Sequence, residues 1–150
     1  ETVPSEIIND PIWKLEVYRL ALFIDDIGWP DVLALSKNNL MWGVADQLHR
    51  SLGSISANLT EGYSRSKGLD RARFFEISLG SARESRDWYY KSRHVLSVEV
   101  IKHRMSLVTH VIGMLTPMIQ HQRKNAIREK QAEYNIQPSD FSLDSDVPFP

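Results

Sequence analysis

Asn58, Glu61, Arg65 and Glu84 are the polar residues whose types and spacing suggest chemistry. They lie in Gln47–Ser66 (QLHRSLGSISANLTEGYSRS) and in Gly80–Glu84 (GSARE). Glu61 and Glu84 have the groups of a general acid and a general base. Nothing beside them supplies a nucleophile, an oxyanion site or a metal cluster. No catalytic residue is therefore assigned, and the chain reads as non-enzymatic. A structural role fits better. Asn58 and Glu61 would satisfy backbone groups at a helix end and cross-link that helix to a later one through Ser81, Glu84 or Arg50. Glu61 and Arg65 are four apart, but with Gly62 between them a helical ion pair is not assured.

The five histidines are His49, His94, His103, His110 and His121. Bundle metal centres use Glu-x-x-His pairs from two helices. Here Glu99 and His103 are four apart and the pair is missing, so no metal or other cofactor is expected. The chain has no Cys, which rules out disulfides and thiol catalysis and suits a cytoplasmic protein. No apolar run has the length of a membrane span.

The basic residues are the second candidate. Arg65, Lys67, Arg71 and Arg73 cluster around one loop, and Arg83, Arg86, Lys91 and Arg93 follow. Arg123, Lys124, Arg128 and Lys130 form a later group. The net charge of −1 conceals this asymmetry: residues 1–40 hold 3 basic and 7 acidic residues, residues 41–130 hold 15 and 8, and residues 131–150 hold none and 4. A basic body between acidic ends attracts polyanions at the backbone level, with no base-specific reading. The competing explanation is solvated helix faces, or arginines that pair with Glu76, Asp87 and Glu99 at subunit contacts.

Four helices must position these groups. The first is expected over Pro11–Ile27, capped by Asp10 and ended by Gly28-Trp29-Pro30. Its two apolar stripes (Leu15, Tyr18, Leu22 and Val17, Leu20, Ile24, Ile27) imply burial on two sides, as in a subunit interface. The second spans Asn39 to about Thr60, with Met41, Val44, Leu48, Leu52, Ile55 and Leu59 at helical spacing and Gly62 as terminator. The third runs from a cap at Asp70 to about Leu96, and its line of Ser78, Ser81 and Ser85 invites close helix approach. The fourth runs from Ser97 to about Tyr134 on a seam of Ile101, Met105, Val108, Ile112, Leu115 and Ile119, with a bend expected at Pro117. Residues 1–10 form an extension, 11–134 an antiparallel up-and-down four-helix bundle, and 135–150 a disordered acidic tail. Phe141, Leu143 and Phe149 in that tail are either a docking motif or part of a plain solvating segment.

Gln47-Leu48-x-Arg50, Ser54-Ile55-x-x-Asn58-Leu59-x-Glu61-Gly62 and Arg65 resemble the motif of a bacterial four-helix-bundle family. Its founding members are encoded in intervening sequences of 23S rRNA genes and are also called S23 ribosomal proteins. Phe74-Phe75, Ser78, Gly80-Ser81-Ala82 and Glu84 resemble its second motif. The similarity covers about residues 12–120. It implies a homopentameric barrel. It also implies kinship with the accessory variability determinant of diversity-generating retroelements, which binds nucleic acid and partners a reverse transcriptase. Ser56 stands where the family commonly has Pro, and the chain lacks the strong positive charge of the retroelement branch. Two functions are therefore expected in order. The first is an RNA- or DNA-binding accessory protein using Arg65, Lys67, Arg71, Arg73, Arg83, Arg86, Arg123, Lys124 and Arg128. The second is an oligomeric protein-binding scaffold without nucleic acid.

Overall fold

The computed structural model describes residues 3–134, with side chains to residue 128. The acidic segment 135–150 lies outside the described residues. All regular structure among the described residues is helical. A short α1 (Ser5–Ile8) and a 3₁₀ turn (Pro11–Lys14) precede α2 (Glu16–Ser36), α3 (Trp42–Tyr63) and α4 (Gly68–Lys91). A second 3₁₀ turn (Ser92–His94) leads into α5 (Val98–Tyr134). The long helices form a helical bundle: α2 packs on α3, α3 on α4, α4 on α5, and α5 back on α2.

The first long helix differs most from expectation. Asp10 is a cap, but of the 3₁₀ turn, where its Oδ1 accepts from the Ile12 N–H at 2.9 Å. The helix then starts at Glu16 and continues through Gly28-Trp29-Pro30 to Ser36. Pro30 and Asp26, whose carbonyl loses its usual donor, both lie on the exposed side, where water can replace the missing bond. Gly28 is buried: a Cβ there would come within 2.5 Å of Leu52 Cδ1 and 3.1 Å of the Tyr89 hydroxyl. It serves close packing and does not end the helix. Val17, Tyr18, Ala21, Ile24, Gly28, Asp31 and Leu35 are buried, a single stripe drawn from both sides of the expected pair. Phe23, Trp29 and Leu33 remain 50%, 53% and 46% exposed.

The other boundaries shift for similar local reasons. Asn38 Oδ1 accepts from the Leu40 N–H at 3.0 Å, which holds Asn39 in a turn ahead of α3. Gly62 does not terminate α3. It lies inside the helix, where a Cβ would sit 2.8 Å from the Phe75 ring. Asp70 is in the first turn of α4, where it complements the helix dipole, and Lys67 occupies the cap position. Ser97 caps α5, accepting from the Val100 N–H at 3.3 Å. Leu48, Leu52, Ile55, Leu59, Phe75, Ala82, Tyr89, Val108, Val111 and Leu115 fill the centre of the core. Each large apolar side chain there contributes roughly 1.5–3 kcal/mol through burial.

Candidate nucleic-acid interface

A ladder of serines fixes α3 against α4. Ser85 Oγ donates to Ser51 Oγ at 2.9 Å, Ser81 Oγ to Ser54 Oγ at 3.0 Å, and Ser78 Oγ to the Ile55 carbonyl at 2.8 Å. The numbers rise on one helix as they fall on the other, which brings the end of α3 beside the start of α4. Small side chains allow the two backbones to approach, and each hydroxyl is satisfied across the seam.

The expected polar lock is built from different members. Asn58 Nδ2 donates within its own helix, to the Ser54 carbonyl at 2.7 Å and to Ser54 Oγ at 2.9 Å. It backs the Ser54–Ser81 bond without crossing the seam itself. Glu61 forms an exposed ion pair with Arg65, the i,i+4 pairing that the sequence left open. Glu84 accepts from Trp88 Nε1 at 3.1 Å on the surface. Arg50 faces Asp46 at 4.0 Å, also exposed. Of the six motif residues, Ser81 crosses the seam by a hydrogen bond and Gly62 meets its partner by close packing. Glu61, Glu84 and Arg50 do not join the two helices.

The α3–α4 turn brings together two basic groups that are about fifty residues apart in sequence. Gly68 packs on α5, where a Cβ would meet the Gln122 carbonyl at 3.1 Å and Ala126 Cβ at 3.5 Å. Arg123 pairs with Glu76. Arg65, Lys67, Arg71 and Arg73 thus share one end of the bundle with Arg123 and Lys124. Arg65 lies 4.9 Å over the Phe74 ring, an arrangement that presents a planar cation at the surface. Arg71 is half-buried and donates to the Arg65 carbonyl at 2.6 Å; it shapes the turn more than it faces solvent. Lys67, Arg73, Lys124 and Arg128 are exposed. Arg83 and Arg86 stand apart: Arg86 is thirteen residues beyond Arg73, about 20 Å along the helix, and its Nη1 reaches Thr109 Oγ1 on α5 at 3.5 Å.

The family model for the 23S rRNA-intervening sequence protein matches residues 15–117, from Leu15 at the N-cap of α2 to Pro117 in α5. The chain belongs to the 23S rRNA-intervening sequence protein family. A solved relative is a protein of unknown function from the S23 ribosomal protein family of Bacteroides thetaiotaomicron VPI-5482, determined at 1.70 Å. The two are 20% identical, with a TM-score of 0.64, and the match covers 69% of this chain and 97% of that one. At this identity the likeness is one of fold. No curated protein matches the chain.

The chain also buries charges that the sequence reading missed. Arg104 Nε donates to Asp31 Oδ2 at 2.8 Å, and the Tyr89 hydroxyl donates to the same oxygen at 3.1 Å. Arg104 Nη2 donates to the Ile27 carbonyl at 3.2 Å, one residue past the carbonyl that Pro30 deprives of a donor. Burial first, and then the Asp31 carboxylate, push the Tyr89 phenol well above its ordinary value. The available signal was register: with α2 continued through Pro30, Asp31 falls on the buried stripe at 17, 21, 24, 28, 31 and 35. Among the described residues no group of three or more Asp, Glu or His side chains is placed to hold a metal. None of the described helices is long and apolar enough to cross a membrane.

Proposed function

We propose that this protein is an antiparallel up-and-down four-helix bundle that assembles as a homopentamer and binds nucleic acid as a cytoplasmic, non-enzymatic ribonucleoprotein accessory factor. The observation that carries the reading is that the Gly68 contact with α5 puts Arg65, Lys67 and Arg73 at the same end of the bundle as Arg123 and Lys124. Exposed lysines and arginines there suit phosphate oxygens. The Arg65–Phe74 stack supplies a flat, weakly hydrated cation. Assembly multiplies the patch, and backbone affinity grows with the number of phosphates held. A reverse transcriptase is the protein partner that the family resemblance suggests.

The test is retention of RNA by the full chain at increasing salt. If each chain holds about four phosphates on a single strand, affinity falls roughly fifty-fold between about 50 and 200 mM salt. Absence of retention, or retention indifferent to salt, would sink the reading and favour the protein-binding scaffold.

A further inference from the structure

A second polar site lies on the α2–α3 seam, away from the basic end. A cleft of about 440 Å³ opens there, lined by Asp25, Asp26, Trp29 and His49. Neither carboxylate takes part in an ion pair among the described residues. Burial pushes the Asp25 carboxyl up from its ordinary value; His49 pulls it down and Asp26 pushes it up further. Trp29 is exposed and meets the His49 ring at an angle of 68°, with centroids 5.4 Å apart. Two unpaired carboxylates beside an indole are the chemistry of a guanidinium receptor. The carboxylates accept its N–H groups, and the ring attracts the cation. Phe23 and Leu33, exposed on the same helix, add apolar surface that can keep water from such a contact.

The opposite seam carries the complement. Because the helices follow one another around the bundle and α5 closes on α2, the α2–α3 and α4–α5 seams point in opposite directions. Arg86 faces α5 at the second seam, Arg83 is exposed one turn before it on α4, and neither forms an ion pair among the described residues. Thr109, which Arg86 reaches, lines a shallow depression on α5 together with Ser106 and Gly113. A Cβ at Gly113 would meet nothing within 4 Å, so the depression is open to a large side chain.

We infer that the Asp25–Asp26–Trp29 cleft receives Arg83, with Arg86 beside it, from a second copy of this chain. The two surfaces are unlike, so the contact is heterologous. Repeated from copy to copy, it builds a ring where the rotation closes, rather than a two-fold pair. This removes Arg83 and Arg86 from the nucleic-acid set and makes them assembly residues. The inference rests on the self-assembly part of the proposed function and is independent of RNA.

The experiment is light scattering on the full chain, with circular dichroism to verify folding. Arg83→Asp with Arg86→Asp changes surface residues and should reduce the assembly to the 17.3 kDa monomer. Asp25→Arg with Asp26→Arg should do the same. One chain carrying all four substitutions should regain the wild-type mass, because the charges are exchanged. If the wild type is oligomeric and the folded Arg83/Arg86 variant keeps its mass, this contact is overturned while assembly stands. If both pairs dissociate the oligomer but the exchanged chain stays monomeric, direct pairing is likewise overturned. A monomeric wild type would overturn the contact and the assembly reading together, leaving RNA retention to be judged separately.

Discussion

The two ends of the bundle treat charge in opposite ways. At one end Asp31 and Arg104 are withdrawn from water, bonded to each other and joined to Tyr89, so that one carboxylate ties α2, α4 and α5. At the other, Lys67, Arg73 and Lys124 stay in solvent around the α3–α4 turn. A buried charge depends on its partner, because a lone ion in the interior is expensive. An exposed charge is nearly neutral for folding and remains available to something outside the molecule. The closed end therefore determines helix register, and the open end is where the proposed contact with a polyanion would lie.

The largest expected effect breaks the closed end. Arg104→Ala leaves Asp31 buried with the Tyr89 hydroxyl alone and should cost about 3–5 kcal/mol in denaturant unfolding. A loss below about 1 kcal/mol would mean that the pair is not the tie between these helices. Next is the spacing that holds the open end in place. Gly62→Ala drives a methyl into the Phe75 ring and should cost about 1–3 kcal/mol, measured in the same way. Tolerance there would show that the α3–α4 approach is looser than the serine ladder implies.

A smaller effect tests the environment of the closed end through pH. The Tyr89 phenol is raised above its ordinary 10.0, so the native state keeps a proton that the unfolded chain has lost. The resulting stability is intact below pH 10 and is lost as pH rises beyond it. Tyr89→Phe should cost about 1 kcal/mol at neutral pH, through the missing bond to Asp31. It should also decline less steeply above pH 10. Parallel alkaline slopes for the two proteins would contradict the buried phenol–carboxylate contact.

Much of the fold was legible in the sequence because apolar periodicity reports helices directly. Leu48, Leu52, Ile55 and Leu59 all fall on the buried face of α3. Ser78, Ser81 and Ser85 foretold the close α3–α4 seam. The failures share one cause. Gly28, Pro30 and Gly62 were read as local punctuation, whereas tertiary contacts decide their roles: Gly28 and Gly62 are small because Leu52 and Phe75 press on them. Ending α2 at Ile27 removed Asp31 from its stripe and hid its pairing with Arg104. The Asn58–Glu61–Glu84 lock was over-read because type and spacing do not reveal which of two nearby polar groups crosses to the next helix. Ser54 does, with Asn58 behind it. That the Arg123–Lys124 stretch of α5 returns to the end carrying Lys67 and Arg73 was equally hidden, since it depends on Gly68 meeting α5.

The most direct measurement of the contrast is made at the open end, on a chain carrying Lys67→Glu, Arg73→Glu and Lys124→Glu. Its unfolding free energy and its anisotropy titration with labelled single-stranded RNA are compared with those of the wild type. Stability should stay within about 0.5 kcal/mol, while RNA affinity falls at least tenfold and its salt dependence flattens. A folded triple variant that binds RNA as tightly as the wild type, with an unchanged salt slope, would contradict the assignment of this end to nucleic acid.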